Sequence, residues 1–171
     1  MLRLRPYRPS DAETIVSWIG DEYAFRQWCA DRYDRYPITA GDMNAQYDGL
    51  ADADWFYPMT AFDDSGIVGH MILRFTDDEK TILRFGFVIV DAAKRGRGYG
   101  REMLGLALKM AFDILKAKTV TLGVFENNPA ACACYRAAGF RDVPMDEPVY
   151  YNVLGDKWKC LELRAEAPDS L

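Results

Sequence analysis

Histidine is nearly missing from this chain. His70 is the only one, and the four cysteines (Cys29, Cys132, Cys134 and Cys160) contain no CxxC pair. Structural zinc sites draw on Cys and His at short, fixed spacings, so no metal is expected and the thiols read as reduced and structural. An excess of basic charge is missing too. Lys and Arg number 21 against 26 Asp and Glu, a net charge of −5, which argues against a general nucleic-acid binder. No apolar run reaches the roughly 18 residues that span a bilayer, so no membrane partner is expected. The opening Met1-Leu2-Arg3-Leu4-Arg5-Pro6 alternates charged and apolar residues where a signal peptide would carry an apolar core, and a cytoplasmic location is expected. Repeats, low-complexity tracts and linkers are absent. The expectation is a single domain over residues 1–171, with residues 166–171 as a frayed tail.

The charge that is present is unevenly spread. Residues 9–66 hold twelve acidic side chains against three Arg, whereas residues 91–118 hold three acidic against seven basic. Such a split suits a cation at one end and an anion at the other, and it equally suits solvated faces of opposite sign. Apolar periodicity predicts a mixed α/β chain. Residues 2–7 read as a strand, and Ser10-x-x-Glu13 as a capping box for a helix to about Ile19. Interrupted helix follows to Leu50, broken at Pro37 and capped at Thr39. Strands are predicted over 55–62, 67–75 and 81–90, with turns at 63–66 and 76–80. Phe85, Phe87, Val88, Ile89 and Val90 make the last of these nearly continuous in apolar residues, as in a strand buried on both faces. A helix is predicted over 98–116, where Met103, Leu104, Ala107, Leu108 and Ala111 fall at helical spacing. A strand over 119–125, a short helix over 129–138 and a hairpin (149–153, 157–163) close the chain.

The sharpest chemical signal is Arg95-Gly96-Arg97-Gly98-Tyr99-Gly100, set between an apolar strand and a long helix. Glycines let backbone pass close to a ligand, and the helix start offers free N–H groups and the positive end of its dipole. Lys94, Arg95, Arg97 and Arg101 add positive field. A phosphate or pyrophosphate is the expected ligand. A dinucleotide fingerprint would need glycine at 101, where Arg stands, and no GK[ST] ending makes a P-loop. The Arg-Gly alternation also admits an RNA contact, against which the apolar helix speaks.

The stretch Val90 to Gly100 resembles the acetyl-CoA loop of the GNAT acetyltransferases, whose [QR]-x-x-G-x-[GA] core is met by Arg95, Gly98 and Gly100. Their second signature is similar to Asn128, Ala131, Tyr135, Gly139 and Phe140 here. The resemblance covers nearly the whole chain. It implies the GNAT fold, a central twisted and mostly antiparallel sheet of about seven strands, splayed between strands 4 and 5 and flanked by helices. It implies acetyl-CoA as co-substrate and no metal, with the pyrophosphate on Gly96 to Arg101 (Gly96, Arg97, Gly98, Tyr99, Gly100 and Arg101), beside Arg95. The pantetheine arm would lie along Val88, Ile89 and Val90, with Asn128 and Ala131 nearby. A homodimer is a further expectation from resemblance alone.

The resemblance also implies acetyl transfer by direct attack of a primary amine, with Tyr135 as general acid to the departing thiolate. A non-catalytic acyl-CoA sensor of the same fold is the alternative. Cys132 and Cys134 have no histidine near them in sequence to activate them as nucleophiles. The base stays open between Glu126, Glu22 and water, because the strand 83–90 carries no carboxylate. His70 reads as structural. The acceptor stays open among a polyamine, an aminoglycoside, an amino acid and a protein N-terminus. Residues 18–36 interleave aromatics with Asp21, Glu22, Asp31 and Asp34, which suits a cationic amine; core aromatics beside solvated acids fit the pattern equally.

Overall fold

The computed structural model describes residues 1–169. Four strands, β1 (Arg3–Pro6), β2 (Phe56–Asp63), β3 (Gly66–Phe75) and β4 (Ile82–Val90), form an antiparallel meander. Side-chain alternation gives the central strand β3 two buried faces. On β3, Met71 and Leu73 join one core cluster, while Ile72 joins the cluster on the other side. Asp63 shapes the β2–β3 turn by accepting from the Ser65 N–H at 2.8 Å. Asp77 shapes the next turn, accepting from Thr81 and Ile82 N–H groups.

β5 (Thr119–Phe125) lies parallel to β4, and β8 (Asp156–Glu166) runs antiparallel to β5. The short β6 (Arg141–Asp142) and β7 (Val149–Val153) both pair with β8. The result, among the described residues, is a mostly antiparallel mixed sheet of eight strands with a single parallel pair, β4/β5.

Helices cover both faces. α1 (Ala12–Ser17), α2 (Glu22–Cys29) and α3 (Ala40–Asp48) supply Ile15, Phe25, Cys29, Met43 and Tyr47 to the clusters on one side. α4 (Tyr99–Lys109), prolonged by a π-helical stretch Met110–Ile114, and α5 (Pro129–Ala137) supply Met103, Leu104, Ala107, Cys132 and Tyr135 to the other. None of the helices is long and apolar enough to cross a membrane among the described residues.

Three local expectations are corrected. Ser10 and Glu13 do not form the capping box. Asp11 takes that place, accepting from the Arg8 N–H at 2.9 Å, from Thr60 of β2 at 2.8 Å and from both terminal nitrogens of Arg5 at 2.8 Å. One buried carboxylate thereby ties β1, β2 and the helix start together, a stronger set of bonds than a serine hydroxyl offers. Second, α1 stops at Ser17, short of Ile19. Third, fraying does not begin at residue 166. Glu166 pairs with Thr119, and the Ala167 N–H donates to the Lys118 carbonyl at 2.9 Å. Residues 170 and 171 of the expected tail lie outside the described residues.

Thr39 does cap α3, with Asp42 closing the reciprocal box. His70 is fully buried with Nε2 2.7 Å from the Tyr47 hydroxyl, and burial pushes its pKa down to about 3.

Candidate active site

The site begins where two strands part. β4 and β5 pair only at Ile82–Arg84 with Thr119–Thr121. Beyond Arg84 the β5-facing backbone of β4 has no strand partner among the described residues. β4 also bulges there. Its partners on β3 jump from Ile72 opposite Gly86 to His70 opposite Ile89, and Phe87 takes φ +48°. A bulge of this kind re-aims backbone and side chains and ends regular pairing. The opening forms a cavity of about 620 Å³ whose walls include Phe85 to Val90 of β4 and Leu122 to Val124 of β5.

At one end of this cavity lies the glycine-rich turn. Gly96 and Gly98 have φ of +77° and +83°, and a Cβ at either would meet open space. Backbone in the left-handed region, rather than crowding, is what glycine provides there. Gly98 is the N-cap of α4 and brings no side-chain cap; the first N–H returned to the helix is that of Glu102, bonded to the Gly98 carbonyl at 3.0 Å. The N–H groups of Tyr99, Gly100 and Arg101 are thus the free ones at the positive end of the helix. Gly100 has a different job, since a Cβ there would come 3.0 Å from the Cys134 sulfur, so its absence lets α4 approach α5. Lys94, Arg95 and Arg101 line the same end. Tyr99 is anchored through its hydroxyl to Asp63 at 2.9 Å.

Of the residues singled out from sequence, Val88, Ile89, Val90, Arg95, Gly96, Gly98, Tyr99, Gly100, Arg101, Asn128, Ala131 and Tyr135 all line this one cavity. Arg97 is exposed and is not part of the wall. Asn128 is the N-cap of α5, its side-chain oxygen accepting from the Ala131 N–H at 3.3 Å. Seven positions further along the helix, Tyr135 is 8% exposed and its hydroxyl makes no hydrogen bond among the described residues. Burial pushes its pKa up, so the phenol holds its proton throughout the neutral range.

Neither carboxylate considered as a base reaches the cavity. Glu126 is exposed and sits 3.5 Å from Lys159, and Glu22 is exposed in the first turn of α2. The acids Asp21, Asp31 and Asp34 are likewise exposed, while Phe25 and Tyr33 are core. Within α2 helical spacing explains part of the sorting: Phe25 and Cys29, four apart, point inward, while Asp31 and Asp34 lie in the irregular segment after the helix.

A second cavity, about 120 Å³, opens on the α2 face of the sheet. It shares Gln27, Trp28, Phe85, Gly86, Phe87, Gly123 and Val124 with the first, so the two meet at the splay. Its charged lining is Arg32, Arg74 and Arg84, and no carboxylate borders it among the described residues. Arg74 and Arg84 are cross-strand partners on β3 and β4. Sequence reading overlooked both, although a charged residue inside an apolar strand is a visible departure from pattern.

A family description, acetyltransferase (GNAT) domain, matches residues 1–141. The chain belongs to that family and is an acetyl-CoA-dependent acyltransferase. Among solved structures it is similar to the spermidine N-acetyltransferase of Vibrio cholerae in complex with CoA and spermine. The two are 17% identical, with a TM-score of 0.80 over 96% of this chain and 95% of the other. A chimera of that enzyme with hSSAT gives 17% identity and 0.79 over the same shares. A protein provisionally named as a phosphinothricin N-acetyltransferase is 21% identical, with a TM-score of 0.78 over 99% of this chain and 100% of the other. At these identities the likeness is one of fold.

Proposed function

We propose that the chain works as a single domain that transfers an acetyl group from acetyl-CoA to a primary amine by direct attack. The observation that carries this reading is convergence. The free N–H groups at the start of α4, the unpaired edge of β4 and Tyr135 all border one continuous cavity. A diphosphate suits the first, with Lys94, Arg95 and Arg101 beside it. An extended amide arm suits the second, where strand-like hydrogen bonds are on offer. The V. cholerae enzyme named above binds CoA and spermine, which supports both acetyl-CoA as co-substrate and an amine as acceptor.

In this reading the amine nitrogen forms a bond to the acetyl carbon while the carbon–sulfur bond breaks. Backbone N–H groups of the bulged β4 polarise the carbonyl oxygen. Tyr135 donates its proton to the leaving sulfur, and a proton lost by the amine restores the phenol. Its raised pKa keeps it in the donor form at neutral pH. With no carboxylate on either cavity wall among the described residues, water carries the proton away from the incoming ammonium.

Calorimetric titration with CoA followed by a thiol-release assay across amines tests the proposal. Binding and amine-dependent release are expected. Binding without release for any amine favours the sensor reading, and no binding at all refutes both.

A further inference from the structure

The smaller cavity has a charge problem that the protein does not solve by itself. Arg84 is held by Glu162 of β8 at 2.6 and 3.2 Å, with Thr121 at 3.2 Å. Arg74, directly opposite Arg84 in the sheet, is half-buried and has no ion-pair or hydrogen-bond partner for its side chain among the described residues. Arg32 completes the positive lining, and its nearest acid, Asp31, lies 3.9 Å away in an exposed and weak pair. Three guanidinium groups therefore line one small cavity, and among the described residues their acid partners are Glu162 on Arg84 and the weak Asp31 contact on Arg32, with none on Arg74.

Like charges opposite one another in a sheet are destabilising, and a half-buried cation without a counter-charge loses hydration for no return. Burial, then Arg32 and Arg84, push the Arg74 pKa below its ordinary value, and no ion pair to Arg74 offsets them among the described residues. The cavity opens onto the same strand gap as the larger one, at Phe85 to Phe87 and at Gly123 and Val124. A molecule seated there thus presents its amine to the gap while its other end meets the arginines.

We infer that the acceptor is a small primary amine that also carries an oxyanion, a carboxylate or a phosphonate, bound by Arg74 with Arg32 and Arg84 around it. Guanidinium groups suit this ligand because their paired N–H donors match the two oxygens of such an anion. The same cluster repels a polyamine, whose positive charges would replace the missing anion with further cations. The inference rests on the acetyl-transfer reading and specifies its acceptor side.

The test is a thiol-release assay on the full chain with matched acceptors: free amino acids, the corresponding carboxamides, the corresponding aminophosphonates and spermidine. At least one amino acid or aminophosphonate is expected to exceed its carboxamide and spermidine tenfold or more in kcat/KM, and the preference between those two anions identifies the oxyanion. Arg74→Met should then raise KM for that acceptor tenfold or more, with kcat and the Kd for CoA little changed. Arg32→Gln, at an exposed position, should raise KM about threefold and guards against a folding defect in the first variant. Equal or better turnover of carboxamides or spermidine while CoA still binds overturns the anionic acceptor alone. So does an unchanged KM in both variants. Failure to bind CoA, or no release with any acceptor, overturns the acetyl-transfer reading and this inference with it.

Discussion

The guanidinium of Arg84 on β4 crosses the backbone of β5 at Gly123: a Cβ added to that glycine would stand 2.9 Å from Arg84 Nη2 and 3.3 Å from the Cys160 sulfur. The far end of an arginine normally swings clear of an intruding methyl. Here it is held by Glu162 and Thr121. Gly123→Ala should therefore displace Arg84 from Glu162. A loss of about 1–2 kcal/mol in stability is expected, as for other overpacked positions, read by urea denaturation. The acceptor KM should rise while CoA affinity stays the same; unchanged acceptor kinetics would separate Arg84 from the acceptor site.

Tyr135→Phe removes a hydroxyl that has no hydrogen-bond partner among the described residues. Stability should change by less than about 1 kcal/mol, and CoA should bind as before. Turnover should fall by about two orders of magnitude or more, the usual contribution of a positioned acid. Steady-state kinetics with saturating acetyl-CoA reads this directly, and a rate equal to wild type would remove the tyrosine from the mechanism.

Gly98→Ala places a side chain at φ +83° where no atom stands in its way. The effect is backbone strain alone, roughly 1–2 kcal/mol. If the turn relaxes to a right-handed conformation, the free N–H groups of Tyr99, Gly100 and Arg101 lose their common direction. CoA binding measured by calorimetry should weaken tenfold or more. The matched control Gly105→Ala, in the body of α4 with open space for a Cβ, should bind normally and be slightly stabilised.

His70 gives the fold an acid limb. Burial lowers its pKa to about 3, so the folded chain keeps it neutral while the unfolded chain takes up a proton below about 6.5. The unfolded state then binds more protons, and stability falls as pH drops through that value and continues to fall until the folded histidine titrates. Between pH 7 and pH 5 the loss from this one group is about 2 kcal/mol. His70→Gln, which retains a partner for Tyr47, should flatten that interval in denaturant titrations; an unchanged slope would assign it to other groups.

Most strands and the two long elements around the glycine turn were legible because their signals are local. Turn clusters at 63–66 and 76–80 bound β3, periodicity marks α4, and Thr39 caps α3 within three residues of the N–H it binds. The start of α1 was misread because its cap depends on Arg5 and Thr60, neither of them in the helix. β6 escaped because two residues carry no period. Residues 18–36 left two readings open, an acidic and aromatic acceptor wall or core aromatics beside solvated acids. The segment divides between them: Trp18 and Trp28 line the larger cavity, Phe25 and Tyr33 are core and the acids are exposed, a sorting that composition does not decide.

The order of motifs along the chain was set by sequence alone: a glycine turn opening a helix, then Asn128 and Tyr135 on one helical face. Backbone conformation and periodicity act over a few residues and leave their mark in residue type. Where β4 and β5 separate, and that Arg32, Arg74 and Arg84 meet in one small cavity, belongs to tertiary structure. Those arginines come from three segments, and only strand pairing and helix packing bring distant charges to the same side of a sheet.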